Sequence, residues 1–143
     1  MSKNKILEKS LYLFAKQGYF GTSMDDIARE VGMKKASLYS HYAGKEEIFK
    51  AVFDSVVADY TAFVENILAG IEKSDFLEQL RAFFAAYVKN CQDNIKIDFW
   101  DRYYYYPPAS LKDYILEKTL RVETNLQEKI SAIVAEGIEA GEL

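Results

Sequence analysis

The chain has 143 residues, half of them apolar, with only two prolines and a high share of aromatic side chains. That length suits one compact unit or a small head joined to a larger body, and no apolar run approaches the roughly 20 residues that span a bilayer. The net charge of −4 divides unevenly: residues 1–50 hold nine Lys/Arg against six Asp/Glu, and residues 51–143 hold nine against sixteen. A basic head on an acidic body is the asymmetry expected where the head alone meets phosphate. The single cysteine, Cys91, builds neither a disulfide framework nor a zinc site, so no metal and no cofactor are expected. The N-terminus, Met1-Ser2-Lys3-Asn4-Lys5, is not followed by the apolar stretch of a secretory signal. A soluble, cytoplasmic chain without a membrane partner is expected.

The spacing of Leu7, Leu11 and Phe14 predicts a first helix from about Lys3 to Gln17, stopped by Gly18. A connector, Tyr19-Phe20-Gly21-Thr22, leads to Ser23, an N-cap for a second helix with Asp25 and Asp26 in its first turn. Ile27, Ala28 and Val31 give that helix an apolar side, and Gly32 ends it. A short third helix follows within Met33–Tyr42, broken by Ala43-Gly44. Lys45-Glu46-Glu47 opens a fourth that reaches about Ala69, with Ile48, Val52, Val56, Tyr60, Phe63 and Ile67 as its buried stripe.

Gly70 and Glu72-Lys73-Ser74 make the next break, with Ser74 as cap of a fifth helix to about Gln92. Leu77, Leu80, Phe84, Tyr87, Val88 and Cys91 form its inward stripe. A sixth helix runs from about Asn94 to Tyr105 and is cut by Pro107-Pro108. The last is capped by Ser110, holds a helical repeat from Leu111 through Ile115, Val122 and Leu126 to Val134, and meets Gly141 as a C-cap. No strand is expected, and the fold class is all-α.

Residues 23–42 carry the chemistry. Two short helices joined by a Gly-containing turn cross steeply, as in the helix-turn-helix of DNA-binding heads. The second of them presents Lys34, Lys35 and Ser37 near its N-terminus, the end that enters the major groove in such domains. Ala36 is small enough for close approach, and its methyl suits a thymine methyl. Tyr39, His41 and Lys45 are spaced to reach flanking phosphates, which fix register without reading sequence. Tyr42 belongs to the same surface or packs where the third helix meets the fourth.

Three runs resemble the TetR family of transcriptional regulators. These are Gly18-Tyr19-Phe20-Gly21-Thr22-Ser23-Met24-Asp25-Asp26-Ile27-Ala28, then Val31-Gly32-Met33 through Tyr39-Ser40-His41-Tyr42, and Lys45-Glu46-Glu47-Ile48-Phe49. The resemblance implies base contacts from Lys34, Lys35 and Ser37, and backbone contacts from Thr22 or Ser23, Tyr39, His41 and Lys45. Lys34 stands where the family often has a serine cap, which leaves open whether it meets a base or a phosphate. The resemblance further implies a DNA-binding domain at 1–47 and a helical effector-binding domain at 48–143. It implies a homodimer on a palindromic double-stranded operator, released by a small effector, and no enzymatic activity. In the family the chain continues past a Gly-Glu-Leu-like segment into two dimerisation helices. These are expected to be missing after Gly141-Glu142-Leu143.

A small apolar or aromatic effector is expected, because aromatic side chains crowd residues 83–106 and aromatic-lined cavities suit such ligands. Phe63, Phe84, Tyr87, Phe99, Trp100 and Tyr103 are the candidate lining. Asp98 and Asp101 lie among them, which fits either a cationic ligand held by cation–π contact or a solvated face. The alternative is a ligand-independent DNA-binding module whose body only mediates association with another protein.

Overall fold

The computed structural model describes residues 2–69, 76–92 and 94–141. Helix follows helix: α1 (Ser2–Gln17), α2 (Met24–Val31), α3 (Lys35–His41), α4 (Lys45–Ala69), α5 (Phe76–Cys91), α6 (Ile95–Tyr105) and, after a 3₁₀ turn at Ala109–Leu111, α7 (Lys112–Glu139). No strand occurs among the described residues, and none of their helices is long and apolar enough to cross a membrane. The breaks have local causes. Gly32 ends α2 at φ 79°, a left-handed conformation that costs a residue with a Cβ roughly 1 kcal/mol or more, and its N–H bonds back to Ala28 and Arg29. Asn94 caps α6 by accepting from the Lys96 amide, and α6 stops before Pro107-Pro108. The expected break at Gly70 and Glu72-Lys73, and the expected cap at Ser74, lie outside the described residues.

The chain forms two compact units, one of residues 1–56 with 94–112, the other of residues 57–93 with 113–143. In the first, α1, α2, α3, the start of α4 and α6 enclose an aromatic core. The Phe49 ring meets Phe14 at 5.4 Å, Phe99 at 5.5 Å and Tyr103 at 4.7 Å between centroids. Phe14, Phe49, Phe53 and Phe99 are fully buried, and each such side chain contributes about 1.5–3 kcal/mol of burial. The Tyr103 hydroxyl, also buried, donates to the Phe14 carbonyl at 2.8 Å, which ties α6 to α1. Lys16 and Asp98 pair at 3.0 Å on the surface of the same two helices. The fourth helix therefore buries more than the stripe at Ile48, Val52 and Val56, because Phe49 and Phe53 widen its apolar face.

In the second unit Val64, Ile115 and Thr119 are buried, and the Thr119 hydroxyl returns to the Ile115 carbonyl at 2.7 Å. Tyr60, Phe63 and Ile67 are half-buried, as are Val122 and Leu126. The stripe expected to face inward on α5 does not do so. Leu77, Leu80, Phe84, Tyr87 and Val88 are exposed, and Cys91 is half-buried. Helical periodicity groups these side chains on one face, but the face remains open to solvent.

Candidate nucleic-acid interface

The head's geometry starts from a capping box. The Ser23 hydroxyl accepts from the Asp26 amide at 3.1 Å, while the Ser23 amide and hydroxyl donate to the Asp26 carboxylate at 2.9 and 2.6 Å. These bonds hold the Asp26 carboxyl below its ordinary value of 3.8. They also satisfy two of the amides that a helix start leaves unpaired. Met24, Ile27, Ala28 and Val31 bury the inner face of α2. After Gly32, the Met33 amide bonds to the Ala28 carbonyl at 2.9 Å, closing a tight turn. Lys34 is extended, at φ −71° and ψ 144°, and makes no side-chain cap bond, so α3 begins at Lys35.

Helix α3 is one-sided. Leu38 is fully buried and anchors it, while Lys34, Lys35, Ala36, Ser37, Tyr39 and Ser40 are exposed. The Ser40 hydroxyl donates to the Ser37 carbonyl at 2.6 Å. The Lys35 ammonium donates to Asp25 at 3.0 Å, across the turn, and this bond raises the lysine's pKa. His41 and Tyr42 are half-buried at the C-terminal end, where the Tyr42 amide bonds to the Leu38 carbonyl, and burial raises the Tyr42 phenol. Glu47 reaches back to the Ala43 amide at 2.9 Å, which fixes the start of α4.

Two residues expected at phosphates are placed differently from the rest. Thr22 is only 1% exposed, and its hydroxyl donates to the Gly18 carbonyl at 2.8 Å. That side chain shapes the turn after α1 and does not face outward, whereas its neighbour Ser23 is exposed. The Lys45 ammonium donates to the Tyr19 carbonyl at 2.7 Å and lies 4.2 Å from the Tyr19 ring centroid. Partial burial lowers its pKa. Spacing alone does not reveal this bond, since Tyr19 and Lys45 are far apart along the chain. A side chain at Gly21 would run into the Gln17 carbonyl, so the turn carrying that acceptor tolerates glycine alone there.

Of the six aromatic residues expected to line a pocket, Phe99, Trp100 and Tyr103 belong to the first unit and Phe63, Phe84 and Tyr87 to the second. Phe99 and Tyr103 are consumed by the head's core, and Trp100 stacks on Phe53 at 5.7 Å. Phe63, Phe84 and Tyr87 belong to the other unit, where Tyr87 stacks on Phe83 at 6.2 Å. Asp98 is paired with Lys16 at the surface of the head. The second unit carries instead a cleft of about 280 Å³ between α4 and α7, with Val57, Tyr60, Val64, Val122 and Leu126 on its walls and Lys118, Arg121 and Lys129 among its lining. No cluster of three metal-ligating side chains occurs among the described residues.

A sharply capped helix, an αL glycine turn and a second helix exposed at its start are the parts of a DNA-reading head. The sequence profile for bacterial regulatory proteins of the tetR family matches residues 6–52. Over these residues the chain resembles the head of the TetR family.

Over 86 residues the chain is 36% identical to the biofilm operon icaADBC HTH-type negative transcriptional regulator IcaR of Staphylococcus epidermidis, covering 60% of this chain and 45% of that protein. Over 48 residues it is 48% identical to IcaR of Staphylococcus aureus, covering 34% of this chain and 26% of the relative. The matches thus span less than half of these curated relatives. Beyond residues 6–52, the likeness extends to solved structures. The TetR family transcriptional regulator PfmR of Thermus thermophilus superposes with a TM-score of 0.69 at 28% identity, covering 99% of this chain and 73% of that one. The fatty acid degradation regulator FadR of Bacillus halodurans reaches 0.74 at 18% identity, covering 99% and 71%, and that likeness concerns the fold alone.

Proposed function

We propose that this chain is a DNA-binding transcriptional regulator, acting as a repressor from a palindromic operator in the cytoplasm. The observation that carries the reading is the one-sidedness of α3, with Leu38 anchored in the core and Lys34, Lys35, Ala36 and Ser37 all exposed at its start. In this reading Lys35 and Ser37 meet base edges in the major groove, and Ala36 permits the approach. Ser23, Tyr39 and His41 meet phosphates, with Tyr42 beside them. Lys34, extended and ahead of the first helical turn, meets a phosphate or the first base. Thr22 and Lys45 act one step back by holding the turn after α1. The negative regulators among the relatives support repression.

Two half-sites lie about 34 Å apart on one duplex face, so the reading includes a homodimer. Residues 1–47 serve DNA and residues 48–143 serve an effector whose binding releases the operator. Catalysis forms no part of it. The exposed apolar side chains of α5 favour a second reading, in which the body serves association with a protein.

Selection from a random duplex pool, followed by fluorescence anisotropy on the enriched sequence, tests the DNA assignment. Lys35→Ala is expected to weaken the enriched site by about tenfold or more, the usual worth of a base contact, while weakening random duplex much less. Equal binding of enriched and random DNA by the wild-type protein would remove the reading.

A further inference from the structure

The effector reading leaves the ligand's chemistry open, and a ligand class assigned to the cleft between α4 and α7 rests on that reading. Residues 57–93 and 113–143 hold thirteen Asp/Glu against six Lys/Arg. Most of the charged residues in these segments are therefore acidic. The cleft is the reverse. Three of the six basic residues, Lys118, Arg121 and Lys129, line it, and no carboxylate among the described residues does.

Helical register produces this grouping. Positions 118, 121, 122, 125, 126 and 129 follow one another at intervals that keep them on one face of α7. Cations alternate there with Val122, Asn125 and Leu126. From α4, Val57, Tyr60 and Val64 supply the facing apolar wall. The Thr61 hydroxyl is already committed to the Val57 carbonyl at 2.9 Å.

Neighbouring carboxylates temper this charge without filling the cleft. Lys129 pairs with Glu65 at 2.9 Å and Arg121 with Glu117 at 3.6 Å, while the Lys118 ammonium lies 5.4 Å from the Tyr114 ring. Neither Glu65 nor Glu117 lines the cleft. A guanidinium has five donors in a planar fork, so Arg121 has donors left after Glu117 and suits a second planar anion.

We propose that this cleft takes a small amphipathic monoanion: an alkyl or aryl carboxylate whose apolar body lies on Val57, Tyr60, Val64 and Leu126 and whose carboxylate meets Lys118 and Arg121. The volume of about 280 Å³ sits at the small end of the ligand-pocket range and sets the size. An organic cation of the same shape would find cationic side chains and no carboxylate on the cleft's walls. A neutral analogue would give up the charge-assisted hydrogen bonds to Lys118 and Arg121.

Calorimetric titration of the full chain with octanoate, octylammonium and octanol tests this. Octanoate is expected to bind tightest and octylammonium weakest. The double variant Lys118→Gln with Arg121→Gln replaces two side chains that reach solvent and is expected to keep its fold, which circular dichroism checks. It should lose octanoate affinity by about tenfold or more while octanol binding holds, since a charge-assisted hydrogen bond contributes on that scale. Octylammonium binding as well as octanoate, octanoate binding unchanged in the variant, or no binding of octanoate at all would each overturn the proposal. Operator DNA in a parallel titration separates the two claims. Octanoate that binds through Lys118 and Arg121 yet leaves DNA bound sustains the cleft's chemistry and removes effector release.

Discussion

Asp25 illustrates how one side chain sets the terms for another. Its carboxylate holds the Lys35 ammonium at 3.0 Å, and both are about half exposed, so the pair is easily exchanged for a DNA contact. A carboxylate at this place also faces any phosphate that approaches α3. Asp25→Asn is expected to tighten binding to random-sequence duplex and to steepen the salt dependence by about one counterion, read as the slope of log affinity against log salt. A slope equal to the wild type would show that Lys35 is not restrained by its partner. Ser10 is the opposite case, a fully buried hydroxyl without a hydrogen-bond partner among the described residues. An orphaned polar group costs stability and its removal costs little. Ser10→Ala is expected to stabilise the fold by about 1 kcal/mol in urea denaturation, and a loss of stability would mean the hydroxyl is satisfied in solution.

The helices of the head owe their limits to chemistry that is local in sequence, and so they are legible in it. Ser23 three residues before Asp26, a glycine at 32 and a proline pair at 107–108 each act within a few bonds. Burial is not local, and there spacing misleads. Phe49 and Phe53 join the core because Phe99 and Tyr103 of α6 come to them, which no spacing within α4 announces. The α5 stripe is periodic but exposed, since periodicity selects a face and does not supply a cover. The cleft on α7 is hidden in the sequence because basic and apolar residues alternate there, the pattern of an ordinary solvated helix side. The Asp26 carboxyl is depressed in the folded head, so its capping contribution is present above about pH 3.8 and is lost as pH falls through the lower folded value. Asp26→Asn keeps the shape and removes the titration. Comparing unfolding at about pH 5 and pH 3, the variant is expected to lose less stability on acidification than the wild type, and equal losses would assign the acid response elsewhere.

On the scale of the whole molecule, the proposed DNA binding gives the uneven charge of residues 1–50 and 51–143 a part in steering a duplex toward the basic end of the chain. The proposed dimer, with two heads on one operator, would make spacing a hard geometric condition. Inserting about five base pairs, half a helical turn, between the half-sites of the enriched sequence places them on opposite faces of the duplex. Affinity is expected to fall by orders of magnitude, and insertion of a full turn is expected to restore part of it in the same anisotropy assay. Retention of full affinity after the half-turn insertion would argue for binding by single heads. The bond from Lys45 to the Tyr19 carbonyl has a mechanical side. Lys45 is the first residue of a 25-residue helix, a rod about 37 Å long, and its ammonium grips the bend that follows α1. With the Phe49 ring also against Tyr19 at 5.4 Å, a rotation of α4 about its own axis must either break that grip or carry the bend with it.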